Sequence, residues 1–289
     1  MHRRSNAAGP FATGCYNASG KIEPCGTEGV LSGGLDPESA VKLEQKHHDH
    51  YWQKGWVVIE GVFQAYEADR IADAAVRIAE CEQAGLRDKE FVDISEDGRV
   101  VTPRKLKDLF IKDPVFREFF VDPRLLRIVW MLLGEEPLLL GDQTFLKPPR
   151  YGSNKPYHQD NFYFRCHPAD HVVTTWVALD DVSLSNGCLR YIDGSHRGGI
   201  LPHDPIPGEP HNLVPPAELI DLSKESPAIV RKGGVVCHHS QTLHTSHRNE
   251  SDRWRRGAAA HWVTAKVTCE TDTLDRAHFK RPELMLSAS

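Results

Sequence analysis

The sequence of 289 residues contains no apolar run approaching the roughly 18 residues of a membrane-spanning helix. Its most apolar stretch, Leu125 to Leu140, is broken by Arg127, Glu135 and Glu136, so no membrane contact is expected. The start carries Arg3 and Arg4 but lacks the apolar core of a secretory signal, and the final residues Leu286 to Ser289 are not a peroxisomal address. The cytoplasm is therefore the expected compartment. An excess of charge is missing too. The 35 Lys and Arg against 40 Asp and Glu give a formal net charge of −5, so neither nucleic acid nor an anionic membrane surface is an expected partner. Cysteines are few, seven in all, and no Cys-x-x-Cys pair occurs. They read as reduced thiols, with Cys15 and Cys25 the one pair close enough in sequence for a local disulfide. No internal repeat is present, which excludes solenoid architectures.

What is there is an ordinary globular composition, 40% hydrophobic and 26% charged. The length suits one barrel-type domain with helical additions. Residues 1–35 are rich in Gly, Ser, Asn and Ala without periodicity and are expected to form a flexible arm. Residues 36–289 are expected to form a single domain. Asp36 and Pro37 signal a helix start, continuing through His47 to about Trp52 and closed by Gly55. Trp56 to Phe63 reads as a strand ended by a turn, and residues 65–85 place Ile71, Ala74, Val76 and Ile78 at helical spacing. From Lys105 to Glu135, apolar residues such as Leu109, Phe116, Phe120, Leu125, Ile128 and Leu132 supply faces for two or three packed helices. The chain is thus expected to be helical over 36–135.

Short apolar runs separated by Gly, Pro, Asn and Asp follow: 138–146, 172–179, 187–192, 234–238 and 256–268. Helices followed by such strands predict an antiparallel jelly-roll core, the cupin-like double-stranded β-helix, over 136–270 and flanked by N-terminal helices. The Pro-rich connection 198–227 exceeds ordinary loop length and is expected to act as a lid or binding loop.

His and Asp two residues apart on a strand face the same way, whereas on a helix they diverge. Among 16 histidines that spacing occurs in two places. His47-His48-Asp49 falls in the first helix and reads as a polar face, whereas His158-Gln159-Asp160 opens the strand-rich half. Two His and one carboxylate leave three positions open on Fe(II), enough for a bidentate keto acid and O2. His238, His239, His244 and His247 compete for the third place. A polar turn centred on Asn249 and Glu250 would form a hairpin with His244 opposite Arg255, both facing inward. That favours His244, because an Arg beside an iron ligand can grip the distal carboxylate of the chelated acid. His238 and His239 read better as hydrogen-bonded core residues.

These residues match a known family. From Lys147 to Ala265 the chain resembles the phytanoyl-CoA dioxygenase family, through Tyr157 to Asp160, Trp176 to Asp181, Asn186 to His196, and Leu243 to Asn249 followed by Arg255. The segment Gly55 to Phe63 also looks like its opening strand. The resemblance implies a non-haem Fe(II) enzyme using 2-oxoglutarate and O2, with iron ligands His158, Asp160 and His244. It further implies 2-oxoglutarate contacts from Arg255, Ser246, Trp176, Gln143 and Lys105. Asp160 argues against halogenation, since halogenases of this kind carry a small residue in its place. The expected reaction is hydroxylation, or another oxidation, of an unactivated C–H bond in a small organic metabolite, with release of succinate and CO2. Phe162, Tyr163 and Arg165, just past the metal motif, are the candidate substrate contacts. A metal-binding barrel without redox chemistry, such as a cupin-type hydrolase or isomerase, and a catalytically silent binding module are the alternatives; Arg255 discriminates against the first. Substrate identity and oligomeric state are not legible.

Overall fold

A computed structural model describes residues 43–83, 92–94, 100–207 and 209–280. The expected arm at 1–35, the helix start at Asp36 and Pro37, and Cys15 and Cys25 lie outside the described residues. The N-terminal half supplies α1 (Gln45–Lys54), β1 (Trp56–Ile59), α2 (Ala65–Gln83), β2 (Val92–Ile94), β3 (Val100–Pro103), β4 (Lys105–Lys107), α3 (Leu109–Lys112), α4 (Pro114–Phe120) and α5 (Pro123–Leu133). Lys105 to Lys107 thus form an edge strand rather than a helix, hydrogen-bonded along the next long strand.

Local sequence explains these boundaries. Asp113 and Asp122 cap α4 and α5, accepting from the backbone N–H of Val115 and Arg124, and in each helix Pro occupies the first turn. Gly55 and Gly134 end α1 and α5 in the left-handed conformation. Helix α5 buries Leu125, Ile128, Val129, Leu132 and Leu133, which recur at the spacing of one helical face. Each such side chain contributes roughly 1.5–3 kcal/mol by leaving water.

The second half runs through β5 (Leu138–Lys147), β6 (Lys155–His158), α6 (Asp160–Phe164), β7 (Cys166–His167), β8 (Val172–Ala178), β9 (Leu189–Ile192), β10 (Asp204–Ile206), β11 (Glu209–Val214), β12 (Glu225–Ala228), β13 (Val235–His239), β14 (His244–Ser246), β15 (Arg255–Val263) and β16 (Thr268–Cys269). Two sheets face one another, ordered β1-β13-β8-β15-β5-β4 and β12-β9-β14-β6. This is the jelly roll expected from the strand spacing. The six-stranded sheet is covered on both faces, which is why all seven residues of β8 are buried. Val173 and Val177 of β8, with Ala258, Ala260 and Trp262 of β15, pack into the helices' core, while Trp176, Ala178 and Ala259 belong to the cluster between the sheets.

Two further expectations are corrected. Cys166 and Cys269 form a disulfide across 103 residues of sequence; the antiparallel pairing of β7 with β16 sets them opposite each other, a proximity that sequence spacing does not reveal. The hairpin centred on Asn249 and Glu250 does not form. Strand β14 pairs with β6 and β9, and β15 pairs with β5 and β8, so the connection crosses from one sheet to the other. His244 stands opposite His158 and Tyr191, and Arg255 opposite Lys147. Within the 198–227 segment, expected as a lid or binding loop, β10 and β11 form a two-stranded ribbon.

Candidate active site

His158 ends β6, and Asp160 is the first residue of α6 rather than a second strand position. Gln159 between them is still extended, with φ −116° and ψ 129°, so the alternation survives and both side chains face the cavity. His244 comes from the neighbouring strand β14. One ligand atom from each of the three residues lies within 4.8 Å of the others, and all three are buried. The Nε2 atoms of His158 and His244 stand 3.7 and 3.8 Å from Oδ1 of Asp160.

The surrounding groups decide which atoms remain for a metal. Nδ1 of His158 is 2.9 Å from the Pro156 carbonyl, and Nδ1 of His244 is 3.0 Å from the Thr242 carbonyl. A carbonyl only accepts, so each Nδ1 carries the proton and each Nε2 presents a lone pair. Burial, and then the charge of its histidine neighbour, holds His158 well below the usual imidazole range and His244 at about 4, so both rings are neutral ligands. Oδ2 of Asp160 accepts from Thr174 Oγ1 at 2.8 Å and from His238 Nε2 at 2.9 Å. That leaves Oδ1 as the free oxygen. Burial works against the charged carboxylate, but His244 and the hydrogen bond from His238 outweigh it and hold Asp160 well below its ordinary range.

The outer layer continues beyond these contacts. Thr174 donates to Asp160, so the contact between its Oγ1 and His261 Nδ1 at 2.9 Å has the imidazole as donor. His238, donating through Nε2, receives the Tyr191 hydroxyl at Nδ1, 2.9 Å away. Two neutral imidazoles and a single carboxylate oxygen, each oriented by a second partner, fit a ferrous ion with open positions.

Arg255, Lys147, Ser246 and Trp176 line the same cavity. The Arg255 side chain is 1% exposed and donates through Nε and Nη2 to the Gly187 carbonyl, at 2.9 and 2.7 Å. Among the described residues neither Arg255 nor Lys147 has a carboxylate partner. Gly187 has φ 81°, and a Cβ there would come within 2.4 Å of the His247 carbonyl oxygen, so the turn that offers its carbonyl to Arg255 requires glycine. Gly257 meets a harder limit: a Cβ would stand 1.8 Å from the Trp176 ring, which lies over this glycine and 5.0 Å from the Arg255 guanidinium. A buried guanidinium with no carboxylate partner among the described residues, lining a cavity that also holds a metal-type cluster, fits a dicarboxylate chelator.

The cavity has a volume of about 350 Å³. It is lined by every residue expected to contact iron or 2-oxoglutarate: His158, Asp160, His244, Arg255, Ser246, Trp176, Gln143 and Lys105. Lys105 stands at the edge strand, where burial and the charges of Lys107 and Lys155 push its ammonium down to about 8. Of the expected substrate contacts only Tyr163 lines the cavity. Phe162 instead stacks on His203 at 4.2 Å, and Arg165 lies 4.5 Å over the same ring, so the two engage each other outside the cavity wall. Phe164 takes a place on the wall that the sequence did not suggest. His47, His48 and Asp49 lie on α1, as expected of a polar helix face. His239 binds Asp170 as a core histidine. Lys147, Thr174 and His261 were missed, and His238, read as a hydrogen-bonded core residue, is one whose partner is Asp160; these contacts join elements that sequence spacing does not bring together.

Gln159 ties the 198–227 segment to the metal motif. Its amide nitrogen donates to the carbonyls of Gly199 and Gln241, and its amide oxygen accepts from Leu201 N–H. From the ribbon, Asn212 reaches the cavity and accepts from Lys155 Nζ at 3.0 Å.

A jelly roll with two histidines and an aspartate on its inner face has the frame of the non-haem iron oxygenases. Residues 51–257 match the profile of the phytanoyl-CoA dioxygenase family, and the chain belongs to that family of Fe(II)- and 2-oxoglutarate-dependent oxygenases. Phytanoyl-CoA dioxygenase domain-containing protein 1 of Mus musculus is 32% identical over 166 residues, a span of 55% of this chain and 56% of the mouse protein. Among solved structures, EvdO2 from Micromonospora carbonacea var. aurantiaca complexed with 2-oxoglutarate is similar with a TM-score of 0.62 and 21% identity, over 80% of this chain and 94% of that one. The epimerase SnoN in complex with Fe3+, alpha ketoglutarate and nogalamycin RO gives a TM-score of 0.60 at 24% identity, over 82% and 88%. These structural likenesses show the fold. Among the described residues no helix is long and apolar enough to cross a membrane.

Proposed function

We propose that this protein is an Fe(II)- and 2-oxoglutarate-dependent dioxygenase that oxidises an unactivated C–H bond of a small organic molecule. The observation that carries the proposal is the pairing, in one cavity, of a His158, Asp160, His244 cluster with a buried guanidinium that has no carboxylate partner among the described residues. When bound, the ferrous ion and 2-oxoglutarate would activate O2, the oxidant, one oxygen atom ending in succinate with release of CO2 and the other serving to oxidise the substrate. His158 and His244 donate through Nε2 and Asp160 through Oδ1. Arg255 and Ser246 take the distal carboxylate, Trp176 packs against the guanidinium, and Gln143 and Lys105 line the same space. Tyr163, Phe164 and, from the 198–227 segment, Asn212 line the same cavity and are the side chains a substrate would meet. The chain's work is positioning: no acid or base side chain is needed for C–H cleavage, so selectivity follows from which carbon lies nearest the cluster.

Purified protein given Fe(II), 2-oxoglutarate, ascorbate and O2 should release succinate above a protein-free control, and a metabolite mixture containing a substrate should raise it. The Asp160→Ala variant should release none above that control. Succinate release by the parent no greater than the control, or equal release by the variant, contradicts the proposal. Zinc retention with hydrolase activity would instead support a barrel without redox chemistry, and tight 2-oxoglutarate binding without turnover a silent binding module.

A further inference from the structure

We propose that Lys147 is a positioning residue for the distal carboxylate of the keto-acid cosubstrate, acting through the Ser246 hydroxyl; this rests on the 2-oxoglutarate reading above. Lys147 is buried and lines the cavity, directly across the sheet from Arg255. Its Nζ donates to Ser246 Oγ at 2.9 Å, to the Ser246 carbonyl at 3.3 Å, and to the His247 carbonyl. Three acceptors match the three N–H donors of an ammonium, so none remains for a ligand. Lys147 therefore does not grip the carboxylate itself.

Its effect falls on Ser246. The hydroxyl oxygen is occupied as an acceptor by the ammonium, and its own O–H has no acceptor among the described residues. Ser246 is buried and lines the cavity, so that O–H is left to donate to a ligand beside Arg255. Accepting from a cation polarises the hydroxyl and strengthens its donation. The lysine is held firmly enough to do this. Its carbonyl accepts from Asn249 Nδ2 at 3.1 Å, and Gly152 packs so closely that a Cβ there would stand 2.6 Å from the Lys147 Cβ. Burial and the Arg255 charge push the Lys147 ammonium well below its ordinary range, a repulsion that a carboxylate seated between the two cations relieves. A lysine that served only to fill the core would need no hydroxyl to hold and could be methionine.

The test compares the Fe(II)-loaded parent with Lys147→Met, Ser246→Ala and the double variant, without oxygen, using 2-oxoglutarate and 2-oxobutanoate, which has the same keto-acid head but no distal carboxylate. Loss of a charge-assisted contact should weaken 2-oxoglutarate in Lys147→Met by about tenfold or more. Binding of 2-oxobutanoate and of Fe(II) should change by less than about twofold, and the double variant should be no worse than Ser246→Ala alone. Equal weakening of both keto acids, unchanged 2-oxoglutarate affinity, or losses that multiply in the double variant would each overturn the proposal. A parent that binds neither keto acid would instead strike the function reading itself.

Discussion

Replacing Arg255 with methionine should raise the stability of the metal-free protein while destroying cosubstrate binding. Burial lowers the Arg255 guanidinium from 12.5 to about 10. At 1.36 kcal/mol per pH unit, that is an uncompensated cost of ~3 kcal/mol in the folded state. Against it stand the two hydrogen bonds to the Gly187 carbonyl, which methionine cannot make; an unsatisfied buried acceptor costs about 1–2 kcal/mol. Methionine keeps most of the aliphatic packing against Trp176, so the net gain is ~1–2 kcal/mol, or about 2–8 °C in Tm for a domain of this size. Binding should move the opposite way. Two charge-assisted hydrogen bonds to a carboxylate are worth ~3–6 kcal/mol, so 2-oxoglutarate should bind about 10²–10⁴-fold more weakly. Thermal melting of metal-free protein and an anaerobic titration with 2-oxoglutarate measure the two effects. A metal-free variant destabilised by more than ~2 kcal/mol, or one that binds the cosubstrate normally, would refute this view of Arg255 as a charge held in waiting.

His238→Phe removes one of the two donors that hold Asp160 Oδ2 and should weaken Fe(II) binding by about 10–100-fold, measured by metal competition with a chelator; unchanged affinity would reduce His238 to a core residue. Gly257→Ala pushes a methyl into the Trp176 ring and should cost ~2–3 kcal/mol with loss of keto-acid binding, read by melting and titration. His239 and His244 are held at about 4 in the fold. The unfolded chain takes up these protons near pH 6.5, so metal-free stability should be complete above that pH. It should fall as pH drops toward 4, by up to ~3 kcal/mol for each histidine; a flat profile from pH 7 to 5 would contradict this. Cys269→Ser opens a bond spanning 103 residues and should destabilise by ~2–4 kcal/mol, seen as a lower midpoint in urea.

Two members of the His158, Asp160 and His244 cluster were legible from a local cue, whereas His244 was picked out on a hairpin that does not form. His158 and Asp160 are two residues apart, and an extended Gln159 carries the alternation even though the strand ends before Asp160. The strands of the jelly roll were legible from their apolar runs, bounded by turn residues such as Gly187 and Gly194. Arg255 lines the cavity, but it was expected there on a wrong local picture. It shares that cavity with His244 from the other sheet rather than along one hairpin, and only the pairing of β15 with β5 and of β14 with β6 reveals that. The same limit hid Lys147 and Thr174, whose partners are 99 and 14 residues away, and Cys166, whose partner is 103 away. Phe162 and Arg165 do not line the cavity: of the residues Phe162 to Arg165, only Tyr163 and Phe164 do. Sequence position next to the metal motif does not say which way a helix turns its side chains.

The most direct measurement is an oxygen-free titration of metal-free protein with Fe(II) and then 2-oxoglutarate, following the visible charge-transfer absorption of an iron-chelated keto acid. The parent should develop the band at one equivalent of each. His158→Ala should lose it, and Arg255→Met should require far more 2-oxoglutarate to reach it. Folded, Fe(II)-loaded parent protein that shows no band at saturating 2-oxoglutarate would contradict the account at its centre.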